Sequence, residues 1–265
     1  MKVQTQRETT EILEGLTSYW SDRSHSYCAQ NIQEMNNWKR DAWRNLILSH
    51  APAGERLRVL DVGTGPGFFA MNLALAGHEV TAIDVTEHML YHARENAEAY
   101  GAEVTFIHQR GEFLPFEDES FDLIVSRNVT WNLEYPELAL RQWERVLAPG
   151  GRMVYFDANW YLYLFDDELR SRITRHKAAF AAAHPEHRST GDLDPDRVRD
   201  LEEIAYSLPL SRQKRPEWDR RVLSSIGMKL VRVIDNVGPF VQDETERLRD
   251  SVTPVFMVCA EKEVV

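Results

Sequence analysis

The sequence is poor in cysteine and has no long apolar run. Its 265 residues include two cysteines, Cys28 and Cys259, which are far apart and indicate no disulfide framework. No apolar stretch approaches the roughly 20 residues that a membrane-spanning helix needs. The first ten residues are polar and charged, unlike a signal peptide. These absences predict a cytoplasmic protein without a membrane span.

Basic side chains are also scarce relative to acidic ones. The chain has 31 Lys and Arg against 42 Asp and Glu, which gives a net charge of −11. Proteins that bind nucleic acid usually carry a basic surface, so we expect no nucleic-acid partner. The compact basic cluster of Arg212, Lys214 and Arg215 is typical of a solvated loop. No cluster of metal-ligating side chains and no Ser-His-Asp motif is recognisable, so we predict no metal site.

Glycine, by contrast, is concentrated in one stretch. Leu57 to Val62 is a short apolar run typical of a buried strand, and Phe68 to Ala76 has a helical pattern. The turn between them is Gly63-Thr64-Gly65-Pro66-Gly67. Such a turn lets the backbone approach a ligand closely, and the helix N-terminus favours a carboxylate or phosphate. Asp84, at the end of a second strand, suits a ribose diol, so a nucleoside-containing ligand is indicated.

The glycine spacing distinguishes two classes of nucleoside ligand. A dinucleotide fingerprint has the pattern G-x-G-x-x-G, and here Phe68 occupies the position of its last glycine. Asp61-x-Gly63-x-Gly65-x-Gly67 instead resembles the first motif of the class I S-adenosylmethionine-dependent methyltransferases, in their small-molecule, UbiE-like branch. Further segments resemble that family in the same order along the chain: Asp84, Leu114-Pro115-Phe116, Ser120 to Val125, and Arg145 to Gly151.

The resemblance implies an α/β fold. We expect a Rossmann-like, seven-stranded, mostly parallel sheet with helices on both faces and an antiparallel last strand. We therefore predict a division of the chain into four parts. Residues 1–50 form a helical N-terminal cap, and 51–160 the S-adenosylmethionine-binding core. Residues 161–215 form a helical insertion between strands 5 and 6 that caps the substrate, and 216–265 the end of the core sheet. The insertion includes a polar loop between His184 and Pro195.

The same resemblance implies S-adenosylmethionine as cofactor and S-adenosylhomocysteine as its product. The predicted cofactor-binding residues are those of the glycine turn and of the segments that follow the other strands: Asp61, Gly63, Thr64, Gly65, Pro66, Gly67, Asp84, Val85, Met89, Arg110, Gly111, Glu112, Arg127 and Asn128. One position departs from the family. Related sequences often have an aspartate that accepts a bond from the adenine amino group where this chain has Arg110. Glu112 or backbone groups take that part in one interpretation, and Arg110 stacks on the adenine in another.

Several residues are candidates for the acceptor side of the site. Trp20, Arg23 and Tyr27 have helical spacing, which fits either a helix that covers a sheet edge or a lid over the cofactor. The candidates near the reacting methyl group are Tyr27, His25, Asn128, Trp131 and Asp157. Asn128 and Trp131 follow the fourth strand and Asp157 ends the fifth, where ligands bind in open α/β sheets. Trp131 fits a core position equally well, and a lone histidine is more often structural.

The sequence therefore predicts an enzyme that transfers a methyl group to a small-molecule acceptor at N, O, S or C by in-line displacement. Orientation of the reactants supplies much of the rate of such a reaction, and a base is needed only if the nucleophile must lose a proton. Two alternatives are an NAD(P)-dependent oxidoreductase and a non-catalytic, S-adenosylmethionine-binding partner subunit. The sequence names neither the acceptor nor the oligomeric state.

Overall fold

A computed structural model of the protein describes residues 10–187 and 195–264. The charged N-terminal segment and most of the predicted loop after His184 therefore lie outside the described residues. Within those residues, seven strands form one sheet. The strands are β1 (Arg58–Val62), β2 (Glu79–Asp84), β3 (Val104–His108), β4 (Phe121–Arg127), β5 (Leu147–Asp157), β6 (Met228–Ile234) and β7 (Phe256–Lys262).

The strand order across the sheet is β3-β2-β1-β4-β5-β7-β6. Strands β1 to β5 pair in parallel, and β7 is antiparallel to both of its neighbours. The predicted fold class is thus confirmed. Because β1 lies between β2 and β4, the chain reverses its direction across the sheet at β1. Ligands of open α/β sheets bind outside the carboxyl ends of the strands at such a switch point.

Helices cover both faces of the sheet. In chain order they are α1 (Glu11–Met35), α2 (Lys39–Leu48), α3 (Phe68–Ala74), α4 (Glu87–Tyr100), α5 (Pro136–Val146), α6 (Asp167–Ala183), α7 (Pro195–Ser207), α8 (Glu217–Ser225), α9 (Gly238–Val241) and α10 (Glu244–Arg249). None of the helices in the described ranges combines the length and apolarity that crossing a membrane requires.

Alternation along β5 shows how the sheet separates two apolar cores. Val154 and Phe156 pack with the residues of α2 and α3 on one face. Met153 and Tyr155 pack on the other face, with Trp143 of α5 among their neighbours. Successive side chains of a strand point to opposite faces of the sheet. Because β5 is covered on both faces, alternate residues enter alternate cores and the strand is apolar nearly throughout.

The N-terminal helices differ from the expectation. The sequence suggests one helix over Glu8 to Leu16 and another over Ile32 to His50. The structure instead has one continuous helix, α1, which begins after Thr10 and ends at Met35. The Thr10 hydroxyl caps it by accepting a hydrogen bond from the Leu13 N–H at 3.1 Å. A short break follows before α2 begins at Lys39.

Between β5 and β6 the described chain is helical and contains α6, α7 and α8. Leu201, Ala205 and Leu208, from α7 and just after it, pack against Leu16 of α1 and against Trp131. The division of the chain into a cap, a core and an insertion stays a prediction.

Candidate active site

The turn after β1 has the conformation that its glycines allow. Gly63 and Gly65 have φ angles of 67° and 54°, in the left-handed region. The N–H groups of Gly63 and Thr64 both donate to the Ile83 carbonyl of β2, at 2.8 and 3.0 Å. A Cβ atom on Gly63 would lie 2.3 Å from a methyl carbon of Val129. The turn therefore requires glycine at Gly63 both for its backbone angle and for the close approach of the chain after β4.

Asp61 organises this turn from below. Its buried carboxylate accepts hydrogen bonds from the Thr64 hydroxyl at 2.6 Å and from the Ala70 N–H at 3.0 Å. These bonds tie the turn to the first residues of α3. Asp61 and Thr64 line a small cavity of about 260 Å³ beside the main cleft, whereas Pro66 and Gly67 do not line either space. The position of Asp61 supports an organising role in the turn.

Burial raises the pKa of the Asp61 carboxyl from 3.8 to about 7, although bonds from Thr64 and Ala70 act in the opposite direction. The folded protein then holds a proton that the unfolded chain releases, so Asp61 stabilises the fold below about pH 4 and loses this contribution as the pH rises to about 7. We expect Asp61→Asn to reduce the fall in the free energy of unfolding between pH 4.5 and 7.5, by on the order of 3 kcal/mol. Urea denaturation of both proteins at each pH measures the difference. An equal fall in both would contradict the prediction.

Asp84 closes the far side of the turn. One carboxylate oxygen accepts from the Gly65 N–H at 2.9 Å, and the other accepts from the Thr86 N–H at 2.8 Å. Burial raises the pKa of Asp84, while these backbone bonds act to lower it. Each carboxylate oxygen has capacity for a further bond. Asp84 is thus held in place at the end of β2 with acceptor capacity to spare.

These groups form one wall of a cleft that holds about 780 Å³ of empty space, part of it open to solvent. Most of the predicted cofactor-binding residues meet there: Gly63, Gly65, Asp84, Val85, Met89, Arg110, Gly111, Glu112, Arg127 and Asn128. Helix α1 covers the cleft with Leu13, Leu16, Trp20 and Tyr27. Of the two interpretations of the aromatic N-terminal segment, the geometry favours the lid.

Arg110 lies between two carboxylates at one end of the cleft. Its guanidinium group is 3.1 Å from Glu112 and 2.8 Å from Glu134, and it stands over the ring of Phe113 at 5.2 Å. Glu134 also accepts a bond from the Thr10 hydroxyl, which begins α1. These partners hold the guanidinium, which disfavours stacking of Arg110 on an adenine. They leave Glu112 and the backbone at Gly111 as the candidates for that edge of the site.

Arg127, at the end of β4, ties the sheet to α1. It donates to Glu34 at 2.8 Å and lies over the rings of Trp43, Phe68 and Phe69, with the nearest centroid at 4.6 Å. Burial acts to lower the pKa of Arg127, but Glu34, Tyr27 and Asp61 together raise it. The sequence predicts neither the ion pair nor the aromatic contacts of Arg127, since Glu34 is 93 positions away along the chain.

Asn128 follows in a conformation that is uncommon for a residue with a side chain. Its φ angle is 60°, in the left-handed region. Its N–H donates to the Phe156 carbonyl at 2.8 Å, and its own carbonyl accepts from the Trp131 indole at 3.0 Å. The side-chain oxygen Oδ1 is buried and has no partner. A strained backbone with an unpaired amide group at a cleft is a feature of ligand-binding sites.

Comparison with known proteins identifies the domain that contains the glycine turn. Residues 60–155 match the family model described as a methyltransferase domain. The chain is 44% identical over 110 residues to malonyl-[acyl-carrier protein] O-methyltransferase of Erwinia pyrifoliae, which covers 41% of this chain and 40% of that protein. It is 40% identical over 122 residues to demethylmenaquinone methyltransferase of Thermus thermophilus, which covers 45% and 53%. Residues 60–155 are thus a methyltransferase domain, and these relatives support its assignment to the class I S-adenosylmethionine-dependent type.

The solved structures agree on the fold. An S-adenosylmethionine-dependent methyltransferase from Aquifex aeolicus superposes with a TM-score of 0.52 at 22% identity and covers 88% of this chain and 97% of that one. The [4+2]-cyclase SpnF superposes with a TM-score of 0.59 at 16% identity and covers 97% of both chains. By contrast, the matches to the two curated relatives span only about half of their length or less. The fold is thus shared along 88–97% of the chain, whereas the sequence likeness to these two relatives covers 41–45% of it.

Three of the predicted acceptor-side residues do not line the cleft. His25 is exposed on α1, with its ring 6.1 Å from that of His92. Trp131 is buried beneath α1 and α7, so the alternative of a core position is the better description. Asp157 is completely buried, and its oxygens accept bonds from several donors, among them the Trp131 N–H and the Trp160 indole at 2.9 and 2.8 Å. None of the three is placed to act as a base.

Arg215 completes the cluster around Asp157, and the prediction that it lies in a solvated loop is wrong. Arg215 was expected in a solvated loop, but it is 4% exposed. It donates to Asp157 at 3.0 Å and to both oxygens of Asp219 at 2.9 and 2.6 Å. Tyr155 and Thr130 also bind in this cluster. The i, i+4 spacing of Arg215 and Asp219 gives no clear signal, since Arg215 lies before α8, which begins at Glu217.

Proposed function

We propose that the protein transfers the methyl group of S-adenosylmethionine to a small-molecule acceptor and leaves S-adenosylhomocysteine. The observation that carries this proposal is the meeting of the Gly63–Gly67 turn with Asp84 in one cleft under α1. It is the arrangement that the resemblance to class I methyltransferases leads us to expect, and it brings backbone and a carboxylate to the same space.

The residues present fit the cofactor. Gly65 keeps side-chain atoms out of the wall of the cleft, where an added Cβ would lie 3.4 Å from the Tyr27 ring. Asp84 can accept bonds from ribose hydroxyls through its remaining lone pairs. Asn128 has a buried amide oxygen without a partner, which a donor on the ligand would satisfy. S-adenosylmethionine supplies a methyl group on a sulfonium sulfur, which is already activated for displacement.

The contribution of the chain is to hold the reactants in line and to exclude water. Orientation alone can provide several kcal/mol towards the barrier. Among the described residues of the cleft, each carboxylate already accepts bonds from a partner: Asp84 from two backbone N–H groups, and Glu112 and Glu134 from Arg110. General-base catalysis therefore has little support in this geometry.

The acceptor is not given by the relatives. One is named for malonyl-[acyl-carrier protein] and another for demethylmenaquinone, and these are different kinds of molecule. The net charge of −11 argues against a nucleic-acid substrate. We place the protein in the cytoplasm, since Cys28 and Cys259 are both buried free thiols and a reducing compartment keeps thiols unpaired.

Calorimetric titration with S-adenosylhomocysteine tests the proposal. We expect saturable binding to the wild type and binding weakened about 10- to 100-fold in Asp84→Ala, because the ribose bonds and the support of the glycine turn are lost together. Asp122→Ala is the matched control, since that aspartate pairs with Arg58 at the opposite end of the strands. Wild type that binds NADH and no S-adenosylhomocysteine would overturn the proposal. Donor binding without methyl transfer to any acceptor in a broad screen would favour the non-catalytic alternative.

A further inference from the structure

Two of the predicted cofactor residues, Pro66 and Gly67, do not line the cleft, and helix α4 holds them in place. A Cβ atom on Gly67 would lie 3.3 Å from the Cβ atom of Ala93 in α4. Three residues further along, on the same face of that helix, the Asn96 amide donates from Nδ2 to the Pro66 carbonyl at 3.0 Å. Helix α4 therefore supports the part of the glycine turn that does not line the cleft.

The Pro66 carbonyl depends on Asn96 because its helical donor is used elsewhere. In a regular helix this carbonyl would accept a bond from the N–H four residues on, which is that of Ala70. The Ala70 N–H donates to Asp61 instead, at 3.0 Å. Pro66 and Asn96 are both buried, so loss of the amide would deprive a buried carbonyl of the donor that the structure gives it, which is costly.

The same amide group contacts the lid. Its Nδ2 atom lies 3.4 Å from the Cys28 sulfur of α1, which in turn lies 3.8 Å from Oδ1. Tyr27, the residue before Cys28, lines the cleft. Its ring would be 3.4 Å from a Cβ atom on Gly65, so the lid and the turn approach each other closely at this point. Asn96 thus touches both the turn and the lid, which form two walls of the same cleft.

The turn is fixed at Gly65 as well. The Gly65 N–H donates to Asp84, and the Pro66 carbonyl accepts from Asn96. The short stretch between these two bonds carries Gly65 into the lining of the cleft. Its position therefore depends on two side chains, of which Asp84 lines the cleft and Asn96 does not.

We propose that Asn96 is a positioning residue for cofactor binding, whose amide group holds the glycine turn and the Tyr27 region of α1 at the separation in which S-adenosylmethionine binds. This inference rests on the proposed function, because it requires the cofactor to lie between the turn and the lid. Asn96 acts through the Pro66 carbonyl and the Cys28 sulfur. Loss of its amide donor should weaken cofactor binding, whereas loss of a similar donor elsewhere in the core should not.

Asn96→Asp tests the proposal, because it keeps the shape of the side chain and exchanges the amide donor for a carboxylate. A carboxylate cannot donate to the Pro66 carbonyl, but a protonated carboxyl group can, and burial raises the pKa of a carboxyl group. We expect S-adenosylhomocysteine to bind about 10- to 30-fold more weakly than to the wild type at pH 8, and within about 3-fold of the wild type at pH 5.5. Calorimetric titration of both proteins at each pH gives the ratio of affinities, and Asp61 and Asp84 titrate in both proteins alike.

Asn72→Asp is the matched control. Asn72 is 1% exposed and donates from Nδ2 to the Arg40 carbonyl of α2 at 2.6 Å, but neither residue lines the cleft. A merely structural role of Asn96 would give both variants the same loss of stability and the same change in affinity. We expect urea denaturation to show a comparable loss of stability in both variants, whereas the pH-dependent loss of affinity should occur in Asn96→Asp alone.

Asn96→Ala provides a second test that places no charge in the core, so it serves even where Asn96→Asp does not fold. It should weaken S-adenosylhomocysteine binding at least about 5-fold at both pH values. A wild type that does not bind S-adenosylhomocysteine would refute the proposed function, on which the inference rests. If the wild type binds, an unchanged affinity in Asn96→Ala, or an equal pH-dependent loss in Asn72→Asp, would overturn the inference alone.

Discussion

Replacing Arg215 with methionine is expected to lower the free energy of unfolding by about 3–5 kcal/mol. The guanidinium group is the cation between Asp157 and Asp219, and all three side chains are at most 1% exposed. Without it, two carboxylates would remain in the interior with no opposite charge. This loss of stability should far exceed the contribution of an ordinary surface ion pair, because Asp157 and Asp219 would stay buried without solvent or an opposite charge. Urea denaturation monitored by tryptophan fluorescence measures it.

Two variants make this measurement specific to buried charge. Arg58→Met removes an arginine whose partner Asp122 is partly exposed, and should lower the free energy of unfolding by about 1 kcal/mol or less. Combining Arg215→Met with Asp157→Asn and Asp219→Asn removes both stranded charges and should restore part of the lost stability. A triple variant that is less stable than Arg215→Met alone would show that packing and not charge dominates the cluster.

Replacing Gly63 with alanine is expected to weaken S-adenosylhomocysteine binding at least 10-fold and to lower the free energy of unfolding by about 2–5 kcal/mol. Two terms add: the left-handed backbone costs about 1–2 kcal/mol for a residue with a Cβ, and overpacking costs about 1–3 kcal/mol. The second term is specific, because the new Cβ would lie 2.3 Å from a Val129 methyl group. Calorimetry and denaturation report the two effects separately.

Gly77→Ala is the matched control. Gly77 has a φ angle of 93°, but an added Cβ would meet nothing within 4 Å, so only the backbone cost should appear and binding should be unchanged. Val129→Ala in the Gly63→Ala background should recover stability by making room for the new methyl group. Equal effects of Gly63→Ala and Gly77→Ala on both measurements would contradict this account of the turn.

The parts of the fold that were predicted correctly are those with local signals. The glycine turn and the strand before it are adjacent in sequence, so one short stretch predicts both. The predicted bounds of the N-terminal helices are wrong, because the joint at Asn36 and Asn37 lies inside the segment predicted as one helix, Ile32 to His50. Asn36 and Asn37 interrupt an otherwise continuous helical pattern, and the serine-rich run before Tyr27 continues as helix. Tertiary packing beneath α1 overrides those weak propensities.

In the site, too, the residues with a local signal in the sequence were predicted, and those paired across different elements were not. Asp84 was found from its distance to the glycine turn. Glu134 and Glu34, which pair with Arg110 and Arg127, were not found, because each lies in a different element from its partner. Asp157 looked like a candidate base since it ends a strand on the ligand side, and the structure shows its oxygens already bound. The sequence places Asp157 at the end of a strand, but its hydrogen-bond partners in the fold determine whether its oxygens can bind a ligand.

The continuous form of α1 affects how the cleft can open. At about 1.5 Å per residue, its 25 residues make a rod of about 37 Å, and the break after Met35 lies at one end. Rotation about that joint by about 10° would carry the Thr10 end about 6 Å outward by simple leverage. The Glu34–Arg127 pair lies beside the pivot, where movement is smallest, while the Thr10–Glu134 contact lies at the tip, where movement is largest. In such a rotation the Thr10–Glu134 contact at the tip would separate before the Glu34–Arg127 pair at the joint.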